Sequence, residues 1–135
     1  MTRHVIDHIS LNVEDIARAK DFYGKALAPL GFTLMMEFPA SVTGTVDVAG
    51  YGVEGKPYFW LSGAGRQTPR THIAFGVETR AEVDAFYAAA IAAGGTDNGP
   101  PGIREMYHPT YYGAFVLDPE GHNIEAVCHK PESEA

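Results

Sequence analysis

Between Val5 and Val13, Ile9, Leu11 and Val13 fall on one side of the chain and His8, Ser10 and Asn12 on the other. That period of two predicts a strand with one buried face. Helical spacing follows, with Ile16, Ala19, Tyr23, Ala26 and Leu27 recurring at intervals of three and four, Asp15 near the start, and Pro29 and Gly31 closing the segment. Phe32 to Phe38, Thr45 to Tyr51 and Pro57 to Leu61 predict three short strands, separated by Pro39-Ala40-Ser41 and by the glycine-containing stretch from Gly52 to Lys56. Ser62 to Arg70 reads as a linker.

The same grammar then recurs. Thr71 to Val77 alternates Ile73, Phe75 and Val77 against His72, Ala74 and Gly76, predicting a strand. Thr79 and Glu82 form a capping-box pattern, Val83, Phe86, Tyr87, Ala90 and Ile91 share a helical face, and Gly94-Gly95 end the helix. Thr96 to Pro109 is polar and rich in glycine and proline, an ordered loop or short strand. Tyr111 to Leu117 and Asn123 to Cys128 predict two strands joined by the turn Asp118-Pro119-Glu120-Gly121. His129 to Ala135 is charged and is expected to fray.

One shift of 64 positions maps His8 onto His72, Val13 onto Val77, Phe22-Tyr23 onto Phe86-Tyr87 and Gly31 onto Gly95. The chain therefore carries an internal duplication. We expect one domain over residues 1–135: a first module at about 4–62, a linker at about 63–70, a second module at about 71–129 and a tail at 130–135.

Composition changes this picture little. A hydrophobic fraction of 45% is ordinary for a globular chain, and 17 acidic against 10 basic residues give a net charge of −7, which disfavours nucleic acid and anionic lipid as partners. A single cysteine, Cys128, forms no internal disulfide and, alternating with Ala126 and Ile124, is expected to be a buried structural thiol. No leader or 18-residue apolar stretch is evident, so a cytoplasmic, membrane-free protein acting on a small molecule is expected.

The candidate chemistry sits on the more polar strand faces. Glu125 is a carboxylate in mid-strand, sharing a face with Asn123 and Val127, and such a position calls for an explanation. Together with His8 and His72 it supplies two imidazoles and one carboxylate, a donor set suited to a divalent cation with open coordination positions. Each histidine could instead be a hydrogen-bonded structural residue. Tyr107, His108, Tyr111 and Tyr112 precede the last hairpin, and Trp60 ends the first half; these could hydrogen-bond or stack on a planar or oxygenated ligand, with His108 as an acid or base, or could simply pack at strand edges. His4, His122 and His129 lie at element edges and are expected to be exposed.

The phrases Asp7-His8-Ile9-Ser10-Leu11-Asn12-Val13, Phe22-Tyr23, Leu30-Gly31-Phe32, His72-Ile73-Ala74-Phe75 and Asp118-Pro119-Glu120-Gly121-His122-Asn123-Ile124-Glu125 together resemble the vicinal oxygen chelate superfamily. That superfamily includes glyoxalase I, extradiol dioxygenases, fosfomycin resistance proteins, methylmalonyl-CoA epimerase and bleomycin resistance proteins. The resemblance implies an α+β fold of two tandem βαβββ modules whose mixed sheets curl into a cup, often completed in a homodimer. It also implies that His8, His72 and Glu125 are the metal positions.

Departures narrow the choice. Glyoxalase I and the epimerase carry a fourth Glu or Gln ligand where this chain has Tyr58-Phe59-Trp60-Leu61, which disfavours glyoxalase chemistry. Extradiol dioxygenases have a tyrosine three residues before the turn aspartate, where Phe115 stands here, although His108 could match their upstream histidine. Fosfomycin resistance proteins have a hydroxyl where Ser10 stands and cationic residues for phosphonate, for which Arg104 is the main candidate in the second half. Bleomycin resistance proteins bind their drug without these ligands.

The sequence therefore predicts a metal-dependent enzyme, using Zn, Ni, Mn or Fe, that acts on a small oxygenated substrate. His108, Tyr111 and Tyr112 are its candidate catalytic groups, and Trp60, Ser10, Tyr107 and Arg104 its substrate contacts. Lyase or isomerase, transferase and dioxygenase reactions all remain open. The alternative is a protein that sequesters a small molecule or drug without catalysis.

Overall fold

A computed structural model describes residues 5–134; the expectation for His4 falls outside them. The first half runs β1 (Ile9–Asn12), α1 (Ile16–Ala26), β2 (Thr33–Phe38), α2 (Ala40–Thr43), β3 (Val48–Val53) and β4 (Lys56–Ser62). The second runs β5 (His72–Gly76), α3 (Arg80–Ala92), β6 (Thr96–Asp97), β7 (Gly102–Ile103), β8 (Tyr112–Leu117) and β9 (Asn123–Cys128). The fold is α+β, with two sheets, each holding one parallel and several antiparallel pairs. Their orders are β1-β4-β3-β2 and β5-β9-β8-β6, with β7 also on β8. In each sheet the first strand lies parallel to the last, β1 on β4 and β5 on β9, because the intervening helix carries the chain back across the sheet.

The helices cover one face of each sheet, which fixes the strand parity. Leu11, Phe59 and Leu61 of the first sheet and Phe75, Val116, Ile124 and Ala126 of the second join Phe22, Tyr23 and Phe86 of the helices in one buried cluster. Phe75 meets both Phe59 and Phe32 edge-on, with ring centroids 5.6 and 5.4 Å apart, so the core runs unbroken between the halves. No helix among the described residues is long and apolar enough to cross a membrane.

The turn after β8 fastens the halves together. Asp118 is buried and accepts the Tyr23 hydroxyl of α1 at 2.5 Å. Glu120 accepts the backbone amides of Glu14 and Asp15 at 2.9 to 3.0 Å, filling free donors at the start of α1. Asp15 itself caps the Arg18 amide, and Thr79 and Glu82 form the reciprocal capping box expected for α3.

Several expectations are corrected. The first strand begins at Ile9 rather than Val5, leaving His8 just before it, with Nδ1 2.8 Å from an Asp7 carboxylate oxygen. A short helix, α2, follows Pro39, its first amide bonded to Asp47 at 2.7 Å; Pro at the cap and no long apolar run hid it from pattern reading. The glycine- and proline-rich stretch agrees with expectation, yielding two short strands on β8. His122 is not exposed but fully buried, because the tight turn folds it inward and its Nδ1 accepts the Thr71 amide at 3.1 Å. The tail forms a 3-10 turn at Glu132–Glu134 rather than fraying, and Arg80 reaches Glu132 at 3.4 Å. Cys128 is buried as expected.

Candidate functional site

Strand parity puts His72, Asn123, Glu125, Val127 and Phe115 on the face of the second sheet turned away from the helices. Glu125 lies beside β5 on one side and opposite Phe115 of β8 on the other. It is fully buried, and its Oε1 stands 2.8 Å from Nε2 of His72. Its other oxygen accepts the Tyr111 hydroxyl in a short hydrogen bond. Gly113, two residues beyond Tyr111, leaves room for this arrangement, since a Cβ there would stand 3.2 Å from both the Glu125 carboxylate and the Tyr111 ring. Among the described residues no Lys or Arg pairs with Glu125; His72 and Tyr111 are its partners. Burial first, and then the bond to Glu125, push the Tyr111 hydroxyl well above the ordinary tyrosine range, so it remains a donor through the neutral range.

A shell of aromatic and cationic groups surrounds this pair. Phe115 packs beside His72 with centroids 6.1 Å apart, and the Arg104 guanidinium sits over the Phe115 ring at 5.4 Å while donating to the Pro100 carbonyl at 2.6 Å. Tyr107 and His129 stand edge-on to Tyr111 at 5.1 and 5.2 Å. Phe115 and His129 were not among the expected site residues. The ladder pairing of Phe115 with Glu125 is the signal that could have found the first, whereas His129 reaches Tyr111 only through the close of the hairpin.

Other expected residues lie elsewhere. Tyr112 has the opposite parity: it packs toward α3, donating to Asp84 at 2.6 Å beneath the Arg80 guanidinium, and burial with that bond pushes its hydroxyl up to about 12. It is therefore not brought to Glu125. His108 is exposed and held by the Thr110 amide at 3.2 Å. Ser10 and Trp60 belong to the first sheet and His8 stands just before it; with Asn12, Val48 and Ser62 they line a separate cavity of about 410 Å³. Within one chain, no three His, Cys, Asp or Glu side chains among the described residues gather closely enough to hold a metal ion. His8 thus does not join His72 and Glu125, although Ser10 of β1 and His72 of β5 border one crevice of about 430 Å³.

The Glyoxalase/Bleomycin resistance protein/Dioxygenase superfamily model matches residues 5–126. The chain belongs to this superfamily. A glyoxalase/bleomycin resistance protein from Albidiferax ferrireducens is 26% identical, with a TM-score of 0.73 over 94% of this chain and 100% of that one. A glyoxylase/bleomycin resistance protein/dioxygenase domain from Frankia shares the fold at 17% identity and a TM-score of 0.72, covering 96% of this chain and 100% of its own. A glyoxalase I mutant from Zea mays does so at 22% identity and a TM-score of 0.66, over 90% of this chain and 46% of its own. No curated protein matches the chain. Membership accounts for the doubled topology, and the superfamily's several reactions leave the chemistry to be argued from the site.

Proposed function

We propose that this superfamily member is a metal-dependent enzyme acting on a small oxygenated substrate, with His72 and Glu125 as two ligands of a divalent cation. The observation that carries the reading is the buried Glu125 carboxylate facing Nε2 of His72 at 2.8 Å, with no Lys or Arg among the described residues paired to it. Donor atoms bound at about 2.1 Å to one ion lie about 3 Å apart at right-angled positions, so the pair fits one edge of a coordination shell. His8 is the third ligand, supplied when the face carrying β1 of a second copy comes opposite β5 and β9, which makes the working unit a homodimer.

Bound there, the cation would act as a Lewis acid toward substrate oxygens. The protein's own groups do the rest. Tyr111 donates to the second Glu125 oxygen and holds the carboxylate in one orientation, leaving the first toward His72. Arg104 and Phe115 present a cation and an apolar wall beside the pair, and Tyr107 shields Tyr111 from one side. His108, exposed on the adjoining loop, is placed to exchange protons with solvent.

A second reading, sequestration of a small molecule without catalysis, draws on the separation of His8 from His72 and Glu125 within one chain. Metal analysis of the purified protein offered Zn, Ni, Mn or Fe separates the two. Stoichiometric uptake that is lost in both Glu125→Ala and His8→Ala supports the enzyme. No uptake overturns it, and uptake unchanged in His8→Ala removes His8 from the ligand set.

A further inference from the structure

A third cavity, of about 240 Å³, opens where the first sheet meets the second. Ile9 of β1, Tyr58 and Phe59 of β4, Ile73 and Phe75 of β5, and Phe32 just ahead of β2 line it. Ile9, Phe59, Ile73 and Phe75 have the parity of the core, so the cavity lies on the helix side of both sheets, behind the face that carries Trp60, His72 and Glu125. Ile6, Ile9, Ile73 and Ala74 line both this cavity and the crevice bordered by Ser10 and His72, and so stand between the two. Phe75 meets Phe32 and Phe59 edge-on at 5.4 and 5.6 Å, and Tyr58 tilts against Phe32 at 6.4 Å. An apolar cavity of about 150 Å³ is enough to hold benzene. The space here takes one ring and a short substituent.

The mouth is polar because β5 is an edge strand. Among the described residues it pairs only with β9. The Thr71 carbonyl accepts the Asn123 amide and the Val77 amide donates to the Val127 carbonyl, each at 2.9 Å, so the odd-numbered residues of this stretch turn their backbone groups to β9. The amides and carbonyls of Ala74 and Gly76 therefore point away from the ladder, and both residues are exposed and line the cavity. No Lys, Arg, His, Asp or Glu lines it. Lys56, over the Tyr58 ring at 5.3 Å, is already paired with Asp7 at 2.9 Å. A charged ligand would lose hydration here without gaining a counter-ion.

We propose that this cavity binds an uncharged one-ring aromatic molecule with a short hydrogen-bonding arm, the ring among Phe32, Tyr58, Phe59 and Phe75 and the arm at the backbone of Ala74 and Gly76. Edge-to-face contacts with the four rings favour an aromatic ligand over a saturated ring of the same size. A hydroxyl on the arm can donate to a free carbonyl and accept from a free amide. The proposal goes beyond the His72–Glu125 reading, concerns the opposite side of the sheets and needs no metal.

The full-length protein, kept in EDTA so that the outcome is independent of metal uptake, is titrated with benzyl alcohol, with its saturated counterpart cyclohexylmethanol, and with the charged analogues benzoate and benzylamine. The backbone amide resonances of Ala74 and Gly76 report on this cavity, and the indole N–H of Trp60, the only tryptophan in the chain, reports on the opposite face. Benzyl alcohol should shift the two amides saturably, in the millimolar range expected of a fragment, and leave the indole in place. Cyclohexylmethanol should bind several-fold more weakly. Ile73→Phe fills the cavity and should abolish saturable binding. Because that change also loads the core, Gly76→Val serves as a second variant: a Cβ there meets nothing within 4 Å, so the fold is spared while the mouth narrows, and benzyl alcohol should bind several-fold more weakly. The proposal is overturned if benzyl alcohol gives no saturable shift at Ala74 and Gly76, if it moves the Trp60 indole instead, if the saturated alcohol binds equally well, if either charged analogue binds more tightly, or if Gly76→Val binds like the unsubstituted protein.

Discussion

Nε2 of His72 lies 2.8 Å from Oε1 of Glu125, across the parallel pair β5–β9. This contact joins a partly exposed imidazole to a carboxylate with no solvent access of its own. A group so placed depends on its few partners, and removing one should register strongly. Tyr111→Phe deletes the donor to the second Glu125 oxygen and should cost about 1–3 kcal/mol of stability. Chemical denaturation would measure it; a loss near zero would mean that water replaces the phenol and that Glu125 is less enclosed than described.

The Asp118–Gly121 turn predicts a second loss at a distance from that site. Tyr23→Phe removes the hydroxyl that donates to buried Asp118 at 2.5 Å, and should likewise cost about 1–3 kcal/mol. Glu120→Ala frees the Glu14 and Asp15 amides at the start of α1 and should cost about 0.5–2 kcal/mol. Both variants weaken the fastening between the halves. Thermal unfolding should stay a single transition at lower temperature, since the core is shared; two separated transitions would show that the halves are held mainly by this turn.

Alkaline pH should destabilise the protein through its buried tyrosines. Burial holds Tyr51 and Tyr112 up to about 12, and burial together with Asp118 holds Tyr23 well above the ordinary value of 10.0. A pKa raised on folding contributes stability that is complete below the unfolded value and fades as pH climbs toward the folded one. Melting temperature should therefore fall from about pH 10 upward. Tyrosinate absorbance should show part of the seven tyrosines ionising late, in step with unfolding. Ionisation of all seven together near the ordinary value, with the fold intact, would contradict the burial described.

Two glycines at equivalent places in the duplication should respond differently to alanine. Gly31 ends the first helical segment with φ of 82°, so Gly31→Ala should cost about 1–2 kcal/mol from left-handed strain alone. At Gly95 an added Cβ would stand 2.4 Å from a Val116 methyl and 2.9 Å from both the Ala90 carbonyl oxygen and the Phe22 ring. Gly95→Ala should cost about 1–3 kcal/mol or more by overpacking. Equal effects on urea midpoints would argue against this division of roles.

The local devices of the fold were legible in residue order because their causes are local. Alternation around Ile9–Leu11 and Ile73–Phe75 marked the two opening strands, and the Thr79–Glu82 pair marked the start of α3. The 64-position repeat marked two like units in series, and the mid-strand position of Glu125 marked it as a carboxylate in need of partners, which the fold supplies as His72 and Tyr111.

What residue order left open were relations between elements far apart in the chain, which depend on how faces meet rather than on period. Parity alone separates the neighbours Tyr111 and Tyr112, one bound to Glu125 and the other turned to Asp84. His122, at an element edge, is buried because the turn closes over it, and Glu120 becomes a helix cap only once the two halves dock. His8 and His72 are equivalent in the repeat, yet one chain does not gather them with Glu125. Duplication copies strands and their polarity, whereas proximity is decided by the packing of one sheet against the next.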